Sequence, residues 1–235
     1  YVDRLLEQRV DGVLLDLPVD EAQSGPLHEI IRRFESERIP VVLVQKRFLD
    51  ESQPMAYVVA DNYGGTFQCV EHLCQLGHLR VAGLFDQPNS GTVERMEGYR
   101  GALLKCGAAF RSDLLINFSA IEDCPRVVDY FLDLPSPPTA IFCIHDLVAR
   151  EVIHHLHKRG IKVPEQMAVA GFDDLKFSRY LLPPLTTVRQ PLEQIGREAM
   201  RILIQRMTVD FDLRPHVRLE TELIVRESCG AQLKR

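Results

Sequence analysis

His154, His155 and His157 crowd four positions of the chain, and imidazoles at that density could ligate a transition metal. They lie off the apolar stripe of their helix and lack the i, i+4 pair with a third ligand that zinc prefers, so a solvated helix face is the better reading. Thiol chemistry fares no better. Cys69, Cys74, Cys106, Cys124, Cys143 and Cys229 show no CxxC spacing, and most sit among apolar residues, as reduced core cysteines of a cytosolic protein do. No GxSxG, Walker or GxGxxG string occurs, and no nucleophile–base pair is readable. No metal, no cofactor and no enzymatic activity is therefore expected.

The elements available to position a site follow from the pattern. With 235 residues, 46% of them hydrophobic and 26% charged, the chain can bury a sizeable core and reads as an ordinary globular protein. No run reaches the ~18 apolar residues of a membrane helix, and no charged-then-apolar leader is visible. A net charge of −5, with the basic residues interspersed among acids, argues against a nucleic-acid surface on this chain.

Short, mostly apolar runs at 13–16, 41–44, 57–60, 80–85, 140–143 and 167–170 predict strands buried on both faces. Amphipathic stretches alternate with them, the pattern of an α/β protein with parallel sheets. Ala149, Val152, Ile153 and Leu156 fall at i, i+3, i+4 and i+7, with Asp146 placed to cap the helix and Gly160 to end it before Pro164. Leu192, Ile195, Ala199, Ile202 and Leu203 repeat the spacing after Pro191, which suits the first helical position. Phe67, Val70, Leu73 and Cys74 do so between Asp61 and Gly77, and Met96, Tyr99, Leu103 and Cys106 before Gly107. Residues 1–9 read as a helix, and loops are expected at 19–26, 48–54, 86–91 and 134–138.

Several words of the chain carry a resemblance. Asp61-Asn62-Tyr63-Gly64 runs to Gly77-His78; then come Arg95-Met96-Glu97-Gly98-Tyr99, the run from Pro138 to Cys143, Val163-Pro164-Glu165, Gly171-Phe172-Asp173-Asp174, the run from Pro183 to Pro191, and the run from Leu223 to Cys229. In that order and spacing, over essentially the whole chain, the sequence resembles the effector-binding domain of the LacI/GalR family of transcriptional regulators. The resemblance implies a periplasmic-binding-protein-like fold of two Rossmann-like α/β lobes, joined by three crossing strands near 77–78, 188–191 and 219–222. The first lobe would hold 1–77 and 191–218, the second 78–190 and 219–235. A small sugar-like effector would sit between lobes and, through hinge closure, control binding to operator DNA by a homodimer. A solute-binding protein for sugar uptake is the competing reading of the same fold.

The first strand, its helix and the second strand of the first lobe are missing from the pattern, as is a helix-turn-helix. The expectation is that the chain starts partway through a longer protein whose N-terminal DNA-binding domain, of LacI or GntR type, lies elsewhere. Ligand-contacting positions carry over one by one. A sugar needs planar bidentate partners and an apolar cover. Arg95 matches the family's effector-contacting arginine; alternatively it is a surface residue pairing with Glu94 or Glu97. Asp173 matches the acid after Gly-Phe, at the end of a strand where open α/β sheets bind ligands; otherwise it, or Asp174, caps a following short helix. His145 stands where the family usually has asparagine, which points either to a different or acidic effector or to a histidine satisfied at a strand end. Asn89 and Gln45 match ligand-contacting loop positions. Asp61 and Gln190 come close to the ligand by the same matching, or serve the hinge.

Overall fold

The computed structural model describes residues 2–16, 24–48 and 55–234, so most of the loops expected at 19–26 and 48–54 lies outside the described residues. The chain divides into two compact units. The first draws on Tyr1–Asp61, Pro88–Gly91 and Pro191–Glu220, the second on Asn62–Gln87, Thr92–Gln190 and Thr221–Arg235.

In the first unit, strands β1 (Val13–Leu15), β2 (Val41–Val44), β3 (Tyr57–Ala60) and β9 (His216–Leu219) form a parallel sheet in that order. Helix α1 (Val2–Glu7) and helix α2 (Ser24–Ser36) cover one face with Ile31 and Phe34 against Val41 and Leu43. Helix α7 (Leu192–Thr208) covers the other, laying Ile195, Ala199, Ile202 and Leu203 on Val42, Val58 and Ala60. Pro191 is the N-cap of α7, one position earlier than its sequence suggested, and its carbonyl accepts from Ile195 N–H. Arg206, on the last turn of α7, is buried; it donates to the Val41 and Phe211 carbonyls and to Glu35.

The second unit holds a six-stranded sheet. Its strands are β4 (Val81–Phe85), β5 (Leu115–Asn117), β6 (Ala140–Cys143), β7 (Ala168–Asp173), β8 (Thr186–Arg189) and β10 (Glu222–Ile224), in the order β10-β8-β7-β6-β4-β5. All neighbours are parallel except β10 against β8. Every residue of β4 and β6 is buried, as continuous apolar runs sandwiched by helices should be. The covering helices are α3 (Asn62–Gln75), α4 (Ser90–Lys105), α5 (Cys124–Leu132) and α6 (Asp146–Lys158). Gly160 ends α6 in the left-handed region, with φ +72°.

Three further details differ from the sequence reading. Helix α3 belongs to the second unit, not the first: Val70, Leu73 and Cys69 share a core with Val81 and Phe142, and a Cβ on Gly65 would come within 2.8 Å of Val188 Cγ1. In the opposite sense, Pro88–Gly91 groups with the first unit, where Ser90 Oγ accepts from Arg47 N–H at 3.4 Å. The N-cap of α6 is His145 rather than Asp146, because the Asp146 side chain is turned into the unit and held there.

Helices α3 and α4 pack closely where Gly98 faces the backbone of Tyr63 and Phe67; a Cβ there would sit 3.1 Å from Phe67 N. Backbone cannot swing aside as a side chain can. Gly98→Ala is expected to cost about 1–3 kcal/mol and lower the Tm by a few degrees in a thermal melt. An unchanged Tm would show that the helices separate freely.

Candidate functional site

In the second unit, the chain leaves β4 towards β5 on one side and returns to form β6 on the other. Loops diverge at such a switch point, and it is beyond the carboxyl ends of the strands there, here β4 and β6, that open α/β sheets bind ligands. Asp86 follows β4 at that point, and Ile144 and His145 follow β6. Asp173 ends β7, the next strand over, and Gln190 follows β8.

Arg95 enters from α4, with its side chain 14% exposed rather than out on the surface beside Glu97. Its Nε donates to Asn62 Oδ1 at 2.9 Å and one Nη to the Ile144 carbonyl at 2.6 Å. The other Nη lies 3.7 Å from Asp173 Oδ1, and the guanidinium carbon stands 3.7 Å from the centre of the Phe172 ring. A planar fork held on three sides and stacked on an aromatic face is preorganised in a way a lysine could not be. Burial works against the Arg95 charge, and the carboxylates of Asp173, Asp86, Asp146 and Glu94 sustain it.

Asp173 also accepts from Gln190 Nε2 at 2.6 Å. Burial pushes its carboxyl above the usual range, against the pull of Arg95, Gln190 and His145. Its φ is +112° and that of Asp174 is +50°, so two consecutive non-glycine residues occupy a region L-residues rarely adopt. Such strain persists where surrounding structure enforces it, and it gathers at binding sites. Asp174 caps no helix. Burial alone would raise it, but Arg226 at 2.6 Å and Arg189 at 2.8 Å hold it below the ordinary carboxylate value.

His145 Nδ1 accepts from Val148 N–H at 3.3 Å, so the ring is neutral, with its proton on Nε2. Burial keeps the pKa down, while Asp173 and Asp86 oppose that and Arg95 adds to it. Beneath the site lies Asp146, fully buried, which accepts from Ser178 Oγ, Thr187 Oγ1 and Leu175 N–H. Burial pushes it up to about 6 despite those three donors. Gly171 makes room for it, since a Cβ there would come within 2.5 Å of Asp146 Oδ1.

Of the residues expected from sequence, Arg95, Asp173, His145 and Gln190 therefore gather in the second unit. Asp61, Gln45 and Asn89 belong to the first. There Asp61 pairs with Arg218 at 3.3 Å, Gln45 Oε1 accepts from Ala60 N–H at 3.4 Å, and Asn89 Oδ1 accepts from Gly91 N–H at 3.0 Å. Sequence reasoning passed over Asn62, Asp86, Phe172 and the Ile144 carbonyl. Asn62 sat beside Asp61 in the same word, and Asp86 directly follows the strand at the switch point, which was the available signal. His155 bonds Asp129 at 2.8 Å, and among the described residues no group of His, Cys, Asp or Glu is placed to hold a metal. Surface cavities of about 410 Å³ beside Phe118 and Tyr130, and about 390 Å³ beside Arg38 and Phe211, contain none of these site residues.

A stacked arginine beside a carboxylate at the switch point of a six-stranded sheet stands where small-ligand-binding α/β proteins hold their ligands. Residues 70–229 match the family model described as periplasmic binding protein-like domain. The HTH-type transcriptional repressor CytR of Escherichia coli K12 is 31% identical over 237 residues, covering 98% of this chain and 66% of the repressor. A solved transcriptional regulator CelR–cellobiose complex is 34% identical with a TM-score of 0.84, covering 97% of this chain and 68% of that one. A regulatory protein of LacI family from Chloroflexus aggregans superposes with a TM-score of 0.85 at 26% identity, covering 96% of this chain and 79% of that one. The chain belongs to the periplasmic binding protein-like family, as an effector-binding domain of the LacI-family type. It spans about two thirds of the length of the curated relatives it matches.

Proposed function

We propose that this domain senses a small polyhydroxyl effector, sugar or sugar derivative, for a cytoplasmic transcriptional regulator. The observation that carries this reading is the Arg95–Asp173 pair, fixed at the strand ends with Asn62, Gln190 and His145 around it. A fork-shaped donor and a carboxylate acceptor side by side suit adjacent hydroxyls. The lobes are those of the sequence-based division, amended so that α3 joins the second, with three strand crossings between them. Effector binding shifts the equilibrium between lobe arrangements and so alters how a homodimer meets operator DNA through an N-terminal domain outside this chain. A coupling of about 1–3 kcal/mol suffices for useful switching.

Thermal-shift screening tests the reading without knowing the effector. Monosaccharides, cellobiose and nucleosides would be supplied in excess; at ~100 times Kd a ligand adds about 2.7 kcal/mol, roughly 5–10 °C for a chain of this size. No shift from any member would count against it. With a binder in hand, Arg95→Lys is expected to weaken binding about ten- to a hundredfold by calorimetry, since a point charge cannot serve Asn62, Ile144 and the ligand together. Unchanged affinity would remove Arg95 from the contact set.

A further inference from the structure

Helix α6 starts at a residue whose ring nitrogens are put to different uses. His145 has extended backbone, and its Nδ1 takes the N-cap bond from Val148 N–H at 3.3 Å. Such an acceptor satisfies one of the amide donors that the first turn of a helix leaves open. A neutral imidazole that accepts at one nitrogen carries its proton on the other, so Nε2 is a donor and nothing else. Among the described residues no acceptor stands within hydrogen-bond distance of it, and the ring is half-buried. The charged groups that act on this ring are those of the site: Asp173 at the end of β7, Asp86 after β4 and Arg95 from α4. Arg95 brings a donor of its own, since the Nη that faces Asp173 lies 3.7 Å from Oδ1, beyond hydrogen-bond reach.

We propose that His145 sets effector specificity as a fixed donor: with Nδ1 committed to capping α6, its Nε2–H selects a neutral polyhydroxyl compound that presents an acceptor oxygen, whether ring, glycosidic, carbonyl or hydroxyl, at that point. Such an oxygen completes the one open hydrogen bond of the ring. A ligand group that only donates, such as an ammonium, would meet N–H against N–H and leave both donors unpaired. The cap makes the choice rigid, because the ring cannot change tautomer or flip without giving up the Val148 amide. An asparagine would cap through its oxygen and still offer an N–H, whereas an aspartate would cap equally well and offer only lone pairs. The inference rests on the effector-site reading above and deepens it by fixing the polarity of one contact.

Nitrogen-15 NMR on the whole chain at neutral pH reads the ring directly, with His145 identified by the signals missing from His145→Asn. The expected pattern is an unprotonated Nδ1 and a protonated Nε2, the Nε2 signal moving when whichever of ribose, glucose, cellobiose or adenosine binds is added. A protonated Nδ1, or a ring untouched by a probe that calorimetry shows to bind, overturns the proposal and leaves the effector site standing. Two variants separate donor from cap. His145→Asn and His145→Asp should both melt cooperatively, since both residues cap helices well. By calorimetry His145→Asn should bind within about fivefold of wild type, and His145→Asp at least about tenfold more weakly than His145→Asn, because a carboxylate then faces the ligand's acceptor. Equal affinity of the two variants is the contrary result; should either fail to melt cooperatively, the NMR signature decides. Failure of every probe to bind removes the effector site, and the donor role with it.

Discussion

Asp173→Gly is expected to abolish effector binding while leaving the domain at least as stable as before. The carboxylate is the acceptor for ligand hydroxyls in this account, and charge-assisted hydrogen bonds are worth about 1.5–3 kcal/mol each, so losing two weakens binding a hundredfold or more. Stability runs the other way. Residue 173 sits at φ +112°, where a side chain is strained by roughly 1–3 kcal/mol and glycine is not. The buried carboxyl is itself held above its usual pKa, so its charge already opposes folding at neutral pH. Calorimetry should show the lost affinity and a thermal melt an equal or higher Tm. Full affinity in the variant would show that ligand is gripped elsewhere.

The largest effect on folding is expected at Asp146, outside the ligand contacts. Asp146→Ala leaves Ser178, Thr187 and Leu175 N–H without their shared acceptor, at a cost of about 3 kcal/mol or more in denaturant unfolding. Asp146→Asn keeps the shape and carries a cleaner signature. The folded chain holds this carboxyl at about 6 against an ordinary 3.8, so the native state binds the proton more tightly than the unfolded one. Wild-type stability relative to Asp146→Asn should therefore rise as pH falls through 6, by roughly 3 kcal/mol on reaching 3.8, and stay flat above about pH 7. A difference independent of pH would mean that Asp146 titrates like an exposed carboxylate.

The strand at 140–143 and the helix over Ala149 to Leu156 were legible because continuous apolar runs and a 3.6-residue stripe have one reading each once caps are added. The allegiance of α3 was not. Its stripe of Val70, Leu73 and Cys74 would look the same against either sheet, and only Gly65 and Gly98, each needed for close approach, record which neighbours it has. Asp146 was placed one position late as the cap, because a capping acid and a first-turn acid differ only in where the side chain turns. Arg95, Asp173 and His145 were singled out by their positions in recognisable words, and the geometry adds what spacing cannot encode: the positive φ at 173, the occupied Nδ1 of His145, and the Asp173 carboxylate 3.7 Å from Arg95.

A crystal structure of the chain with the tightest-binding member of the thermal-shift screen tests the central claim most directly. The account predicts ligand hydroxyls within hydrogen-bonding distance of Asp173 and of Arg95, with a ligand acceptor on His145 Nε2. Ligand lodged instead in the cavity beside Phe118 and Tyr130, with Arg95 and Asp173 untouched, would contradict it.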